Sequence, residues 1–336
     1  MALRGTRPAE HAGSWYTADP RNLSEELNGW LEEASCAING SLLPVTNARA
    51  VIAPHAGYRY SGPCAAWAYK CLDLNKARRV FVLGPSHTYY LRGCALTTFE
   101  KYATPFGDFQ VDADVTARLR ESGFFKDIPR HNDVGEHSLE MQLPYIWKML
   151  ERTLGTGARW PSLVPIIVGD GSGADEREFG QLLVPYLEDP ENAFVISSDF
   201  CHWGRNFEFW HYCPSSDFSK IRSLSPRGDS KPSPTEPPVH EFIRVLDEAA
   251  FRAIETGSQA KFVDYLHVTE NTVCGRHPIS VAMAALELMG TRAPTSTSTN
   301  SPIGHPKFEF VRYERSDLAE TTSDSSVSYG SAFAVF

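Results

Sequence analysis

Short apolar runs alternate with stretches of helical periodicity from residue 21 to residue 290. The first helical stretch carries one apolar stripe, formed by Leu23, Leu27, Trp30 and Leu31. A continuous apolar run follows at residues 48–54, and such a run is typical of a strand buried on both faces. Strands that alternate with helices favour a sheet with crossover helices. We therefore predict an α/β fold, a single domain whose central sheet, largely parallel or mixed, is flanked by helices.

The same patterns locate the other elements. Further strands are predicted at 79–84, 163–169, 193–198, 307–313 and 326–335. Further helices are predicted at 112–121, 137–152, 241–256, 259–267 and 278–289. A hairpin is expected around Gly107, and Ser61 is expected to cap the helix that follows the first strand.

Two stretches interrupt this pattern. Residues 214–238 contain six prolines among serines and charged residues, and residues 293–306 are rich in Thr, Ser and Pro. Such compositions lack the apolar side chains that a packed core requires. We therefore expect two mobile surface insertions within a single domain that spans residues 1–336.

Composition narrows the class of protein. The 336 residues include 32 Lys or Arg and 41 Asp or Glu, which gives a net charge of -9. Because the basic residues are scattered, we expect no nucleic-acid partner. Residues 1–10 are polar and no apolar run reaches the length of a membrane helix, so we expect no membrane span and a cytoplasmic protein, with the nucleus as a second compartment. The seven cysteines are expected to be reduced thiols.

Polar clusters follow three of the predicted strands. His55 comes after the first strand, His87 after the second, and Asp199 and His202 follow the strand at 193–198. Since ligands of α/β sheets bind beyond the carboxyl ends of the strands, we expect these side chains to share one site. Imidazole is a common transition-metal ligand and also titrates near neutral pH, so the cluster indicates metal binding or acid–base chemistry. His55 and His87 would meet only if their strands are neighbours.

Asp199 and His202 are three residues apart. If a helical turn begins there, both side chains lie on one face, and Asp199 can hold the His202 imidazole in one orientation. The alternative is that Asp199 is only a helix N-cap.

Two further segments each open a helix. Cys274 and His277 come directly before the helix at 278–289, where the positive end of the helix dipole favours a thiolate. The alternative for Cys274 is a small buried hydrophobic side chain. Glu136 and His137 start another helix, and acidic residues there are normally caps and dipole partners. We expect those two residues at most to support a site that others form.

Six short motifs carry a resemblance to a known family. They are HAGSWY at 11–16, APHAGY at 53–58, LGPSH at 83–87, EHSLEM at 136–141, SSDFCHWG at 197–204 and CGRHP at 274–278. In this order they resemble the signature blocks of the Memo family, named for a mediator of ErbB2-driven cell motility. The segment DSSVSY at 324–329 is similar to the family's C-terminal strand. The resemblance covers nearly the whole chain except the two Pro- and Ser-rich stretches.

This resemblance implies a fold similar to the catalytic subunit of class III extradiol non-haem iron dioxygenases. It also implies iron, as Fe2+, or copper bound by His55, His87 and Cys274, with zinc less favoured. The related dioxygenases use two histidines and a carboxylate, which leave open positions on Fe2+. A cysteine in place of the carboxylate departs from that pattern, so ring-cleaving activity is not carried over to this chain.

The resemblance also implies that Asp199 and His202 line the same pocket and that Trp15 forms part of its wall. In a metal-dependent redox protein, His202 would act as general acid and base, and Asp199 would orient it. The other pocket residues are expected to be Trp15, Tyr58, Arg205 and Arg276. The two arginines are candidates for holding a phosphate group.

Three functions remain open at this point. The first is a metal-dependent redox protein that reduces or activates oxygen. The second is a non-catalytic adaptor, linked by the resemblance to cell motility and receptor signalling, whose pocket takes phosphotyrosine-containing signalling proteins. The third is a hydrolase that uses Cys274 as a nucleophile with a histidine base, or zinc. The sequence names no small-molecule substrate and gives no oligomeric state.

Overall fold

The computed structural model describes residues 2–38, 40–156, 160–291 and 306–336. Its strands are β1 (Thr6–Arg7), β2 (Ala37–Ile38), β3 (Ser41–Leu42), β4 (Ala48–Ala53), β5 (Arg79–Pro85), β6 (Cys94–Leu96), β7 (Lys101–Thr104), β8 (Gly107–Gln110), β9 (Lys126–Asp127), β10 (Ser162–Val168), β11 (Asn192–Ser197), β12 (His202–Trp203), β13 (His211–Tyr212), β14 (Arg222–Ser223), β15 (Phe308–Arg315) and β16 (Ser326–Val335). Its helices are α1 (Pro20–Glu33), α2 (Tyr58–Cys71), α3 (Ala113–Glu121), α4 (Arg130–Gly135), α5 (His137–Glu140), α6 (Leu143–Leu154), α7 (Gly173–Glu188), α8 (Val239–Glu255), α9 (Gln259–Thr269) and α10 (Arg276–Thr291). Short 3-10 helices cover Arg205–Phe207 and Phe218–Lys220.

A mixed sheet forms the centre of the molecule. Within the described ranges it contains nine strands in the order β12, β16, β4, β11, β5, β10, β6 and β9, with β15 paired to the outer side of β16. The central strands β4, β11, β5 and β10 run parallel, whereas β16 pairs antiparallel with β4 and β6 pairs antiparallel with β10. The predicted single-domain α/β fold with a largely parallel or mixed sheet is confirmed.

Both faces of the sheet are covered by apolar side chains. Along β4, Ala50 and Ile52 join a core that includes side chains from α7, α8 and α10. Val51 and Ala53 point the other way, into a core shared with α1, α2 and α6. Successive side chains of a strand face opposite sides, so a strand between two cores is apolar throughout. This arrangement explains the unbroken apolar run that predicted the strand.

Several helix boundaries differ from the prediction. The helix predicted at 137–152 is two helices, α5 and α6, which are separated at Met141 and Gln142. The prediction that Ser61 caps α2 is wrong, because that helix begins at Tyr58 after Gly57. Ser61 lies inside the first turns and its hydroxyl donates to the carbonyl of Ala56 at 2.6 Å. The hairpin around Gly107 is present as β7 and β8.

The two predicted insertions have different outcomes. Residues 214–238 include β14, which pairs with β13, and the hydroxyl of Tyr212 donates to the carbonyl of Pro237 at 2.6 Å. Their mobility stays a prediction. Of the second stretch, residues 293–305 lie outside the described residues.

None of the helices in the described ranges has both the length and the apolar character that crossing a bilayer requires.

Candidate metal centre

An open cleft of about 1000 Å³ lies at the carboxyl ends of β4, β5 and β11. Its lining includes the predicted site residues His55, His87, Asp199, His202 and Cys274. The requirement that β4 and β5 be neighbours was wrong, because β11 lies between them. The rings of His55 and His87 nevertheless lie 5.2 Å apart, centroid to centroid. The turns after β4 and β5 therefore converge over the end of β11.

His55 has one ring nitrogen committed to a hydrogen bond. Its Nδ1 lies 2.7 Å from Oγ of Ser197, and that oxygen donates its single proton to the carbonyl of Ser138 at 2.7 Å. Gln142 donates to the same oxygen at 2.9 Å. Because the serine proton is used, Nδ1 of His55 must carry the ring proton and donate it. Nε2 of His55 is left with a free lone pair, which is the form that binds a metal.

His87 is held in the same tautomer by Glu136. Its Nδ1 lies 2.9 Å from Oε1 of Glu136, and its backbone N–H donates to Oε2 at 2.6 Å. A carboxylate only accepts, so Nδ1 of His87 is the donor and Nε2 is free. Gly84 allows this approach, since a Cβ there would lie 2.6 Å from Oγ of Ser138. Glu136 is therefore an orienting partner of His87, which is the supporting role that the sequence at most allowed it.

The sequence analysis expected His137 at most to support the site, but its ring lies in the cleft itself. Its ring stacks on His87 with centroids 4.4 Å apart and meets His55 at 5.4 Å. Trp15 covers it at 4.3 Å. The segment EHSLEM was recognised as a family motif, but an acidic residue followed by histidine at a helix start is normally read as capping. Only the packing of α5 against the end of β5 brings this imidazole into the cleft.

The helical turn on which the pairing of Asp199 with His202 depended is absent, and Asp199 is not a helix N-cap either. No helix starts there, and His202 begins β12 instead. Oδ1 of Asp199 accepts from the backbone N–H of His55 at 2.9 Å, so the carboxyl group holds the turn after β4. Nδ1 of His202 lies 2.7 Å from the carbonyl of Phe200 and 3.0 Å from that of Thr272. These carbonyls, rather than Asp199, orient His202 and leave its Nε2 free.

Cys274 lies directly opposite His55. Its Sγ is 3.1 Å from Nε2 of His55, and it accepts from the backbone N–H of Asp199 at 3.2 Å. The loop can approach the end of β11 because residue 275 is glycine; a Cβ there would lie 2.3 Å from Cβ of Ser198. All seven cysteines are free thiols, as predicted. Burial, together with the nearby Asp199, raises the pKa of the Cys274 thiol well above its ordinary value.

The ligand-type atoms form two overlapping groups. His55, His87 and His137 form one group, and His55, Asp199 and Cys274 form the other. Within each group the atoms that could bind an ion lie within 4.8 Å of one another. Imidazole and thiolate suit iron, copper and zinc, whereas magnesium and calcium require oxygen ligands. The donor set therefore fits the transition metals that the resemblance implies.

Burial favours the neutral form of three imidazoles of the cleft, those of His55, His137 and His202. It lowers the pKa of His55, and the neighbouring His87 lowers it further. It also lowers the pKa of His137 and of His202. Burial opposes ionisation of Glu136, but the hydrogen bonds from His87 prevail and lower the pKa of that carboxyl. Burial raises the pKa of Asp199. Neutral imidazoles beside an ionised carboxylate are the protonation states that a metal centre uses.

The other predicted pocket residues divide into two pairs. Trp15 and Arg276 line the cleft. Tyr58 is buried beneath it, and its hydroxyl donates to the carbonyl of Met141 at 2.6 Å. Arg205 is exposed in the 3-10 helix after β12 and is not among the residues that line the cleft. Of the two predicted phosphate-binding arginines, only Arg276 therefore reaches the site.

These features define a single-domain α/β protein with a cleft of histidine and cysteine side chains at the carboxyl edge of a mixed sheet. The family model described as "Memo-like protein" matches residues 7–333. The chain therefore belongs to the Memo-like family, as its motifs indicated.

Curated relatives support this assignment over the whole chain. The "Protein memo-1 homolog" of Caenorhabditis elegans is 40% identical over 335 residues, which cover 98% of this chain and 84% of the relative. "Protein MEMO1" of Xenopus tropicalis is 41% identical, and that of Homo sapiens is 38% identical, each over 96% of this chain and 95% of the relative. Among solved structures, an uncharacterized protein of Escherichia coli K12 matches 84% of this chain and 98% of its own at 14% identity, with a TM-score of 0.43.

Proposed function

We propose that this chain is a cytoplasmic metal-binding protein, present also in the nucleus, that holds Fe2+ or copper through His55, His87 and Cys274 and supports redox chemistry. One observation carries the proposal. Hydrogen bonds fix the tautomers of both histidines so that Nε2 is free, and Nε2 of His55 lies 3.1 Å from Sγ of Cys274. Two imidazoles and a thiolate form a ligand set for iron or copper.

The bound ion would supply electron transfer to oxygen or to a substrate. The chain's own residues prepare the site for this chemistry. His202 presents a free, unprotonated Nε2 to the cleft and can take up a proton there. Trp15 covers the ring of His137 and limits the access of water from that side. Zinc fits the same ligands but carries no redox chemistry, so it is less favoured.

The redox proposal is tested by oxygen consumption and superoxide production of protein loaded anaerobically with Fe2+ or copper. The matched control is Cys274→Ser under the same loading. Metal-dependent turnover that the serine variant loses supports the proposal. Metal binding without any oxygen consumption or substrate oxidation would remove its redox part and leave a metal-binding protein.

A cysteine-dependent hydrolase is a second candidate, because Sγ of Cys274 lies 3.1 Å from Nε2 of His55. Both ring nitrogens of His277 face carboxylates, Nδ1 lying 2.6 Å from Oε1 of Glu176 and Nε2 3.1 Å from Oδ1 of Asp170, so His277 is not placed as the base. A raised thiol pKa opposes nucleophilic work, because the thiolate is the reactive form. Alkylation distinguishes the two candidates: rapid modification of Cys274 in metal-free protein that added metal prevents supports ligation, and equal modification with and without metal supports the nucleophile.

The adaptor alternative, which would link the chain to cell motility and receptor signalling, rests on Arg276 at the cleft. Asp170, Asp199 and Asp317 line the same cleft and oppose a phosphate group unless they are protonated. The test is the affinity of a phosphotyrosine peptide for the wild type and for the His55→Ala and His202→Ala variants. Unchanged affinity in both variants would argue against binding in this cleft.

A further inference from the structure

Three imidazoles meet at the metal centre, although the proposed ligand set uses two of them. The ring centroids of His55, His87 and His137 lie 5.2, 5.4 and 4.4 Å from one another. The nitrogen atoms that could bind an ion lie within 4.8 Å of one another. In a tetrahedral zinc site with Zn–N bonds of about 2.1 Å, the ligand nitrogens lie about 3.4 Å apart. Small side-chain rotations would bring the three nitrogens to that spacing.

His137 is the least constrained member of this group. Hydrogen bonds fix Nδ1 of His55 and of His87. In the described part of the chain, the nearest acidic partner of the His137 ring is Oε1 of Glu136, 3.7 Å from Nδ1, which is too long for a hydrogen bond. A half-buried imidazole with no fixed partner can offer either nitrogen to an ion.

We propose that His137 is a third histidine ligand, and that His55, His87 and His137 form a nitrogen face that binds borderline divalent cations such as Zn2+ without Cys274. This inference rests on the proposed function, that the cleft binds a transition metal. His55 belongs to both ligand groups, so it anchors the ion in either case. The softness of the ion then selects the other ligands: Cu+ favours the thiolate of Cys274, whereas Zn2+ is satisfied by imidazole alone.

This arrangement gives Glu136 a role toward two ligands. It accepts from Nδ1 of His87 and lies next to His137 in the chain. Its carboxylate charge lies beside this face of imidazoles and stabilises a cation bound there. The cleft therefore contains one position for a soft ion and an overlapping position for a borderline ion.

The test is Zn2+ affinity, measured by competition with a chromophoric chelator, together with the absorption spectrum of the Co2+-loaded protein. His137→Phe keeps a ring beneath Trp15 but removes both nitrogens, and His137→Gln is a second variant in case the first does not fold. His277→Asn is the matched control. It removes another histidine that lines the cleft and lies outside both ligand groups.

We expect the Zn2+ affinity of both His137 variants to fall by at least 10–100-fold, which is the range lost when an outer-shell partner of a metal ligand is removed. The control His277→Asn should bind Zn2+ like the wild type. Cys274→Ser should keep its Zn2+ site, and adding His137→Phe to it should abolish binding. The Co2+ spectrum of the wild type should lack a strong thiolate charge-transfer band. Wild-type Zn2+ affinity in the His137 variants, or complete loss of Zn2+ in Cys274→Ser, would overturn the inference. A wild type that binds no ion would overturn the proposed function as well.

Discussion

Sγ of Cys274 lies 3.1 Å from Nε2 of His55, although 219 residues separate the two in the sequence. One side chain follows β4 and the other precedes α10, so their contact depends on how the loop before α10 packs against the end of β11. Gly275 in that loop packs tightly against this end of the strand, since a Cβ there would lie 2.3 Å from Cβ of Ser198. The geometry of the site is therefore coupled to the packing of the sheet edge.

Gly275→Ala should displace Cys274 and destabilise the fold. The added methyl group would lie 2.3 Å from Cβ of Ser198 and 2.5 Å from the carbonyl of Ser197, neither of which can move without shifting β11. We expect a loss of about 1–3 kcal/mol in the free energy of unfolding, measured by urea denaturation, and weaker metal binding.

The matched control for this substitution is Gly29→Ala in α1. A Cβ there has no neighbour within 4 Å, so we expect stability to rise by up to about 1 kcal/mol. Equal effects of the two substitutions would contradict the packing argument.

Ser197→Ala should weaken metal binding without removing a ligand. The hydroxyl of Ser197 accepts from Nδ1 of His55. Without it, the ring is no longer held in the tautomer that leaves Nε2 free. We expect a 10–100-fold lower affinity, which is typical when an outer-shell partner of a metal ligand is removed. Ser326→Ala is the control, because that buried hydroxyl also lines the cleft but donates to the carbonyl of Asp317. Equal affinities of the two variants would show that Ser197 does not orient His55.

Glu136→Gln should reduce both stability and metal affinity. The carboxylate accepts from the backbone N–H groups of His87 and Ser138 and from Nδ1 of His87. An amide has one acceptor oxygen, so at least one buried donor is left unsatisfied, at about 1–3 kcal/mol. Thermal unfolding of the metal-free protein measures the first effect and metal titration the second. Unchanged values of both would mean that His87 is oriented by something else.

Asp247 should make stability depend on pH. It is fully buried between the two segments that carry His202 and Cys274, and it accepts from the backbone N–H of Cys201 at 3.1 Å and from the amide of Asn271 at 3.3 Å. Burial raises its pKa from 3.8 to about 6. Between these values the folded state keeps a proton that the unfolded state has released, so the contribution of Asp247 to stability is complete below pH 3.8 and is lost as the pH rises through 6.

The measurement compares the wild type with Asp247→Asn between pH 4 and pH 7. Other groups titrate in the same range, so the difference between the two proteins is the relevant quantity. The free energy of unfolding of the wild type should fall by about 3 kcal/mol relative to that of Asp247→Asn as the pH rises, since one pKa unit corresponds to about 1.4 kcal/mol. A difference that is constant with pH would refute the assignment.

Much of the fold could be predicted from the sequence because buried strands leave a visible signal. The predicted strand at 48–54 is β4, and the alternation of its side chains between two cores explains the apolar run. The order of strands could not be predicted. Crossover connections allow β11 to insert between β4 and β5 without any local trace in the sequence.

The site could be predicted only in part, because contacts between distant segments leave no local trace in the sequence. His55, His87 and Cys274 were identified from strand ends and family motifs, and the fold brings them together. His137 was not identified as a candidate ligand, and Glu136 was expected at most to support the site, because a short helix start has the same composition whether it caps a helix or faces a cleft. Tyr58 was assigned to the pocket from a motif, but the direction of α2 turns its side chain into the core.

The central claim is that His55, His87 and Cys274 bind one transition-metal ion. Its most direct test is elemental analysis with anaerobic titration of Fe2+, Cu+ and Zn2+ into the wild type, His55→Ala and Cys274→Ser. We predict one equivalent of iron or copper in the wild type, no binding to His55→Ala, and affinity for iron or copper at least about tenfold weaker in Cys274→Ser. A wild type that binds none of these ions, or binding that neither substitution changes, would contradict the claim.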